Sequence, residues 1–283
     1  MAQTHFLIVD GYPAASRAEF DRAGMPHAWH QYDRMLAAHL PGATFDRWFA
    51  ADEPEPPAAP DRYSGVLWTG CNLTIYDRDD ERVTRQFPYC QLAFERGVPQ
   101  YGSCWGLQMA AVVAGGTVEP NPRGREMGLA RNIHLTRAGR DHPFLAGKPM
   151  VYAGFISHVD EVTRLPAGAQ LLASNDFTHV QAIAVEHGAG AFWAVQYHPE
   201  YTLADVARLI VAREPKLLPE GFFRSSDDLR AHVARLEALA AAPGRKDLRW
   251  QLGIDDDVLD PALRQREFAN WLRELVQPRL ARD

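Results

Sequence analysis

Short apolar runs alternate with amphipathic stretches through the first half of the chain. Phe6 to Asp10, Gly65 to Gly70 and Val98 to Ser103 read as strands, while Tyr32 to His39, Asp79 to Arg96 and Trp105 to Ala114 carry helical spacing. That alternation argues a parallel sheet covered on both faces. From Met150 to Tyr197 the chain turns strand-rich, with Met150 to Ile156, Gln170 to Ser174, Val180 to Val185 and Ala191 to Tyr197 as its apolar runs. Leu203 to Ala212 predicts the helix that closes this unit. The expected fold class is α/β: a doubly wound, mostly parallel sheet with helices on both faces, plus a C-terminal helical extension.

Two stretches interrupt the pattern. The acidic, proline-rich run from Asp52 to Pro60 fits neither a helix nor a central strand and predicts a surface loop. After Pro215, Ser225 and Ser226 are candidate N-caps, with Asp228 in capping-box position, for a helix carrying Leu229, Val233 and Leu236 on one stripe. A second helix follows Pro261, and its Trp271, Leu272, Leu275 and Val276 need an apolar partner, either the main domain or a subunit interface. The organisation expected is a main domain over residues 1–215 and a helical extension over 216–283.

Composition narrows the function classes. A net charge of −6 and a pI near 6.0 give no electrostatic footprint for nucleic acid or an anionic membrane, so small-molecule chemistry is the better expectation. No apolar segment approaches the roughly 18 residues of a membrane span, and the run at Phe6 is too short for a signal-peptide core, so a cytoplasmic protein is expected. Cys71, Cys90 and Cys104 are an odd count without zinc-like spacing, which suggests neither a disulfide framework nor a metal site. Beyond Pro215 there is no phosphate loop, dinucleotide fingerprint or cysteine-histidine cluster, so no cofactor is expected and the extension is not read as a second catalytic domain.

The chemistry gathers at Val98-Pro99-Gln100-Tyr101-Gly102-Ser103-Cys104-Trp105-Gly106-Leu107-Gln108, where a cysteine stands between glycines at a strand-to-helix turn. Gly102 and Gly106 permit a sharp turn that leaves the thiol exposed at the strand's carboxyl end, and the unpaired N–H groups of a helix N-terminus favour a thiolate there. Gln196-Tyr197-His198-Pro199-Glu200 supplies the natural partners: His198 to exchange the proton, Glu200 to hold the imidazole in its tautomer. An oxyanion hole is expected from the N–H of Trp105 and from the turn at Gly70. Alone, each piece has a plainer reading. A cysteine beside a tryptophan is usually packing, and His-Pro-Glu after a strand is often a polar turn; it is their pairing that favours catalysis. Cys71 and Cys90 read as structural, and Trp68, Trp105 and Trp193 as wall or core.

These residues closely resemble the class I (triad) glutamine amidotransferases, near the amidotransferase domain of GMP synthetase and its free-standing relatives. Pro99, Gly102, Cys104, Gly106 and Gln108 match the family's nucleophile block, and His198-Pro199-Glu200 its second motif. Similarity extends to Ile156-Ser157-His158-Val159-Asp160-Glu161-Val162, Tyr32-Asp33, Ile75-Tyr76-Asp77 and Gly115-Gly116, and spans roughly residues 5 to 212. The resemblance implies a flavodoxin-like α/β domain that attacks the glutamine side-chain amide, forms a γ-glutamyl thioester on Cys104 and releases ammonia and glutamate. It implies that Gln108, Ser157 and His158 contact the glutamine moiety; a histidine after serine, read without the family, is often only solvated. Two positions depart from the pattern: Ser103 replaces a bulky apolar residue, and the oxyanion turn reads Thr69-Gly70-Cys71-Asn72.

No synthetase domain follows Pro215, so the function expected from the resemblance is glutamine hydrolysis with ammonia passed to an acceptor on another chain. The alternative is a free-standing γ-glutamyl peptidase or hydrolase whose leaving amine is larger than ammonia, and the second alternative a regulatory subunit, inactive alone or activated by a synthase partner. A synthase partner or a homo-oligomer would use the C-terminal helices. Another cysteine-elbow α/β family of hydrolases and chaperones is not usually marked by a downstream His-Pro-Glu.

Overall fold

The computed structural model describes residues 4–281; the ends of both expected domains, residues 1–3 and 282–283, lie outside the described residues. Its strands are β1 (His5–Asp10), β2 (Thr44–Phe49), β3 (Gly65–Trp68), β4 (Gln100–Ser103), β5 (Thr117–Pro120), β6 (Glu126–Leu135), β7 (Val151–His158), β8 (Asp160–Arg164), β9 (Ala169–Ser174), β10 (Ala182–His187) and β11 (Gly190–Val195). Nine of them form one sheet in the order β2-β1-β3-β4-β11-β10-β9-β6-β7, and β5 pairs with β8 in a small second sheet. The first five strands run parallel, and each pairing from β11 to β7 is antiparallel. Parallel neighbours send their carboxyl ends to the same edge, where open α/β sheets bind ligands. The loops after β1, β3, β4 and β11 therefore emerge side by side.

Along β1 the side chains alternate between two cores. Leu7 and Val9 join the cluster beneath α4 (Gln86–Glu95) and α5 (Trp105–Val113), whereas Phe6 and Ile8 face Tyr32, Met35 and Leu36 of α2 (Ala28–His39). Both faces of the sheet are thus covered, as a near-continuous apolar strand requires. A third core joins α1 (Ala14–Ala23) to α7 (Leu203–Ala212) and to the stripe Leu229, Val233 and Leu236.

The expected helix over Asp79 to Arg96 is two: α3 (Glu81–Thr84) and α4, with Pro88 lacking the N–H that would bond the Thr84 carbonyl. Asp52 to Pro60 is irregular and mostly exposed. Strands β2, β5, β6 and β8 and helix α1 carry too many polar residues to announce themselves by apolar pattern.

Beyond α6 (Arg137–Asp141), α7 and the short α8 (Glu214–Leu217), the remaining helices are α9 (Ser226–Ala241), α10 (Lys246–Leu252), α11 (Asp256–Leu259), α12 (Pro261–Arg264), α13 (Arg266–Trp271) and α14 (Gln277–Leu280). Ser225 caps α9 by accepting the Asp228 N–H at 3.2 Å, while the Asp228 carboxylate reaches one residue further back, to the Arg224 N–H. Trp271, Leu272 and Val276 find their apolar partner within the chain: they are buried in the α2-side core with Phe6, Tyr101 and Phe268. Lys148 and Glu267 pair at 2.9 Å where both side chains are buried, tying α13 to the segment before β7. Among the described residues no helix is long and apolar enough to cross a membrane.

Trp271 is wholly buried and stacks near Tyr101 and Phe268, with ring centroids 5.6 and 5.7 Å away. Trp271→Ala is expected to cost about 3–5 kcal/mol, the range for emptying a large aromatic site. Urea unfolding checks this; a loss under about 1 kcal/mol would mean that the C-terminal helices do not share the sheet's core.

Candidate active site

Cys104 sits between β4 and α5 with φ 51° and ψ −98°, one of two non-glycine residues at positive φ among the described residues. Glycines make this turn sterically feasible. A Cβ on Gly102 would lie 2.7 Å from the Gly106 Cα, and one on Gly106 2.9 Å from the Trp68 carbonyl, so strand and helix approach too closely for any side chain. The Cys104 N–H donates to the Val195 carbonyl at 2.8 Å, fixing the elbow to β11. Its thiol lies 3.8 Å from the Ser157 carbonyl and is 4% exposed, at the floor of a cavity of about 300 Å³.

His198 stands in the loop after β11, its N–H donating to the Phe155 carbonyl at 2.7 Å. Its Nδ1 is 2.7 Å from Glu200 Oε1, and its ring stacks on Tyr201 at 4.0 Å with an interplanar angle of 1°. Nε2 is buried with no hydrogen-bond partner among the described residues. Burial opposes the imidazolium, but the Glu200 carboxylate, with a smaller contribution from the Cys104 sulfur, outweighs it and raises the His198 pKa to about 10. The structure thus pairs His198 with Glu200 and sets them after β11, the strand beside β4, whose end carries Cys104.

Ser103, the departure from the family's apolar residue, has a physical role. Its hydroxyl donates to Glu200 Oε1 at 2.8 Å and meets the Tyr32 hydroxyl at 2.8 Å, which in turn donates to the Trp68 carbonyl at 2.9 Å. A bulky apolar side chain would leave the Glu200 oxygen without that donor. The loop's backbone is held from outside as well: the Pro199 carbonyl accepts from Arg264 Nε at 3.1 Å and Gln265 Nε2 at 3.3 Å, and the Glu200 carbonyl from Arg34 at 2.9 Å. Arg34, Tyr201, Arg264 and Gln265 carried no local signal for this in the sequence.

Gly70 follows β3, and the place a Cβ would take lies 2.9 Å from His198 Cε1, so no larger residue fits beside the imidazole. Its turn is braced by the Thr69 hydroxyl on the Gly70 carbonyl at 2.8 Å and by an amide-hydroxyl contact of 2.9 Å between Asn72 and Ser16. Trp105 opens α5, and its N–H, like those of any first helical turn, has no helical carbonyl to bond. Its indole donates to Gln86 at 3.1 Å, within the wall of the core.

Gln108, Ser157 and His158 all line the cavity. Gln108 Nε2 and His158 Nδ1 converge on the Asp160 carbonyl at 3.1 and 2.9 Å. His158 is buried rather than solvated: its Nε2 is 3.1 Å from Glu126 Oε2 in a cluster with Asn175 and Thr178. Burial pushes the Glu126 carboxyl up, but hydrogen bonds from His158 and Asn175 outweigh it and hold it below its ordinary value. Tyr12, Arg125, Arg213 and Lys216 also reach the cavity, as does Cys71, whose thiol donates to the Gly11 carbonyl at 2.9 Å and is held protonated by burial. Cys90 is buried in the core. Among the described residues no group of three or more His, Cys, Asp and Glu side chains is arranged to hold a metal.

Residues 76–214 match the family model described as glutamine amidotransferase class-I. Over 285 residues the chain is 32% identical to a γ-glutamyl-L-1-hydroxyisopropylamide hydrolase of a Pseudomonas species, covering 98% of this chain and 95% of that protein. It is 33% identical over 155 residues to a glutamine-hydrolyzing GMP synthase of Methylobacillus flagellatus, covering 53% of this chain and 28% of the synthase. Among solved structures, a glutamine amidotransferase of Thermotoga maritima superposes with a TM-score of 0.70 at 16% identity, covering 98% of this chain and all of that one. A glutamine amidotransferase of Methylobacillus flagellatus superposes at 0.65 and 17%, covering 97% and 96%. At such identities these are likenesses of fold.

Because His198 is raised above its ordinary value near 6.5, the stability its pairing contributes is fully present below about pH 6.5 and lost as pH rises through about 10. Glu200→Gln removes the charge that holds the imidazolium, and alkylation of Cys104 by iodoacetamide at pH 7 should slow by about tenfold or more. Peptide mapping at Cys104 checks this; an unchanged rate would mean that Glu200 does not govern the thiol's environment.

Proposed function

The chain belongs to the class I glutamine amidotransferase family, and on that premise we propose that it is a free-standing hydrolase of γ-glutamyl amides, working through a γ-glutamyl thioester on Cys104. Family and relatives alike make it an amidohydrolase; the finer reading rests on one observation. The hydrolase relative aligns over almost the whole of both chains, C-terminal extension included, whereas the GMP synthases align over only 25% to 36% of their length.

The geometry supports each step. The Cys104 thiolate attacks the γ-carbonyl carbon, and the resulting oxyanion is received by the Trp105 N–H and the turn at Gly70. His198, protonated and held by Glu200, gives its Nε2 proton to the departing nitrogen as the C–N bond breaks. The free amine leaves and the acyl group stays on sulfur. A water then attacks the thioester, His198 takes its proton, and glutamate is released with the thiolate restored. Gln108, Ser157 and His158 hold the glutamyl half, the first and last through the shared Asp160 carbonyl. No metal or cofactor is needed for acyl transfer of this kind.

Similarity to the GMP synthases supports a second reading: glutamine as substrate, with ammonia passed to an acceptor on another chain. One assay separates the readings by offering the isolated protein glutamine and γ-glutamyl amides of larger amines, with glutamate and ammonia measured separately. The hydrolase releases glutamate from the larger amides without ammonia, and Cys104→Ala lowers that rate by at least about 10³-fold. Activity confined to glutamine would select the ammonia-producing reading. Activity only after a synthase is added would select the partner-activated subunit.

A further inference from the structure

Behind the wall that Gln108 and His158 give the cavity lies a buried carboxylate that the reaction above does not use. Glu126 opens β6 directly across from His158 of β7, and both side chains are more than nine-tenths buried. Four side chains converge on it. His158 Nε2 stands 3.1 Å from Oε2, to which the Thr178 hydroxyl donates at 2.8 Å and Gln181 Nε2 at 3.3 Å, while Asn175 Nδ2 donates to Oε1 at 3.0 Å. Asn175, Thr178 and Gln181 all come from the segment that joins β9 to β10.

The neighbours of His158 fix its protons. Nδ1 is 2.9 Å from the Asp160 carbonyl, which can only accept. Nε2 faces two further acceptors. The Thr178 hydroxyl, 3.4 Å away, has given its proton to Glu126 and itself accepts from Asn121 Nδ2 at 3.3 Å. Burial raises the Glu126 carboxyl, but the donors around it, His158 first and Asn175 next, outweigh that and keep it ionised. A buried anion needs a cation, and among the described residues no lysine or arginine pairs with Glu126. Of the other charged groups nearby, Arg125 is gripped by Glu220 and the Asp160 carboxylate accepts from Tyr76 at 3.0 Å. His158 must therefore offer two N–H groups, one to Asp160 and one to Glu126.

That arrangement reaches the cavity through one oxygen. The Asp160 carbonyl accepts from His158 Nδ1 and from Gln108 Nε2, the latter at 3.1 Å, so both of its lone pairs are filled. The Gln108 amide cannot flip without setting its own oxygen against that carbonyl. An imidazole protonated on both nitrogens also has no free lone pair with which to take a proton, so proton transfer falls to His198 alone.

Taking as its basis the glutamyl wall assigned under the hydrolase reading, we propose that Glu126 is a positioning residue for that wall. It holds His158 with a proton on each ring nitrogen, and His158 fixes the Asp160 carbonyl and, through it, the Gln108 amide.

The test joins nitrogen NMR of protein labelled at histidine with the kinetics of Glu126→Gln, which keeps the side chain's shape and removes its charge. At pH 7 both ring nitrogens of His158 should show the protonated signature in the wild-type protein, the signals being assigned by their loss in His158→Gln. In Glu126→Gln the Nε2 signal should move to that of an unprotonated nitrogen. With glutamine or γ-glutamylethylamide as substrate, the same variant should raise KM by about tenfold or more and keep kcat within about threefold, because the pair is net neutral before and after the change. Adding Glu126→Gln to His158→Gln should raise KM little further, since the carboxylate acts through the imidazole. A wild-type His158 with one protonated nitrogen would overturn the proposal without recourse to any variant. So would an unchanged KM in Glu126→Gln, whether kcat is kept or falls with the fraction of folded protein, and so would fully additive KM effects in the double variant. Hydrolysis of neither substrate by the wild-type protein would overturn the hydrolase reading, and the positioning role with it.

Discussion

A residue other than glycine held at φ 51° and ψ −98° costs roughly 1–3 kcal/mol, and the arrangement at Cys104 depends on that cost being offset by its surroundings. The offset comes from close packing. Gly102, Gly106 and the Trp68 backbone meet at distances no side chain would permit, and the Cys104 N–H is bonded to β11. Strand order then places the remaining groups: β3, β4 and β11 are neighbours, so the turn at Gly70, the thiol and His198 arise from adjacent carboxyl ends. A relaxed elbow would lose the thiol's position and, with it, the use of every group arranged around it.

The imidazole is held as tightly as the thiol. Glu200 fixes one nitrogen, Tyr201 lies parallel to the ring, and Ser103 with Tyr32 fixes Glu200 to the elbow's own strand. These contacts make the elbow and the His198 loop one mechanical unit. The C-terminal helices belong to it as well, since Arg264 and Gln265 bond the Pro199 carbonyl between His198 and Glu200. Their apolar side, led by Trp271 and Phe268, closes one face of the sheet. Burial of Trp271 and orientation of the His198 loop are therefore linked through α12 and α13.

How much of this is legible in the sequence depends on how local the physics is. Apolar runs disclosed β1, β3 and β4, and the helical spacing of Leu203 to Ala212 coincides with α7, because those patterns report burial within a few residues. Cys104, with its flanking glycines, and His198 with Glu200 could be read from short motifs for the same reason. Strands β6 and β8 escaped because polar residues such as Arg131, Asn132 and Glu161 interrupt their alternation. Ser103 departs from the motif, and its partners, Glu200 and Tyr32, lie 97 and 71 residues away along the chain. Arg264 lies 65 residues from Pro199, whose carbonyl it bonds, and no spacing rule links them. Long-range polar contacts leave no periodicity, which is why the core was legible and the site's supports were not.

In the proposed reaction the glutamyl group rests on Cys104 between departure of the amine and arrival of water. Rapid mixing of the protein with a γ-glutamyl amide, acid quenching and mass mapping of the Cys71, Cys90 and Cys104 peptides test it directly. A glutamyl mass gain is expected on the Cys104 peptide alone, absent when Cys104 is replaced by alanine. Release of glutamate with no such adduct, or with the adduct on Cys71, would contradict it.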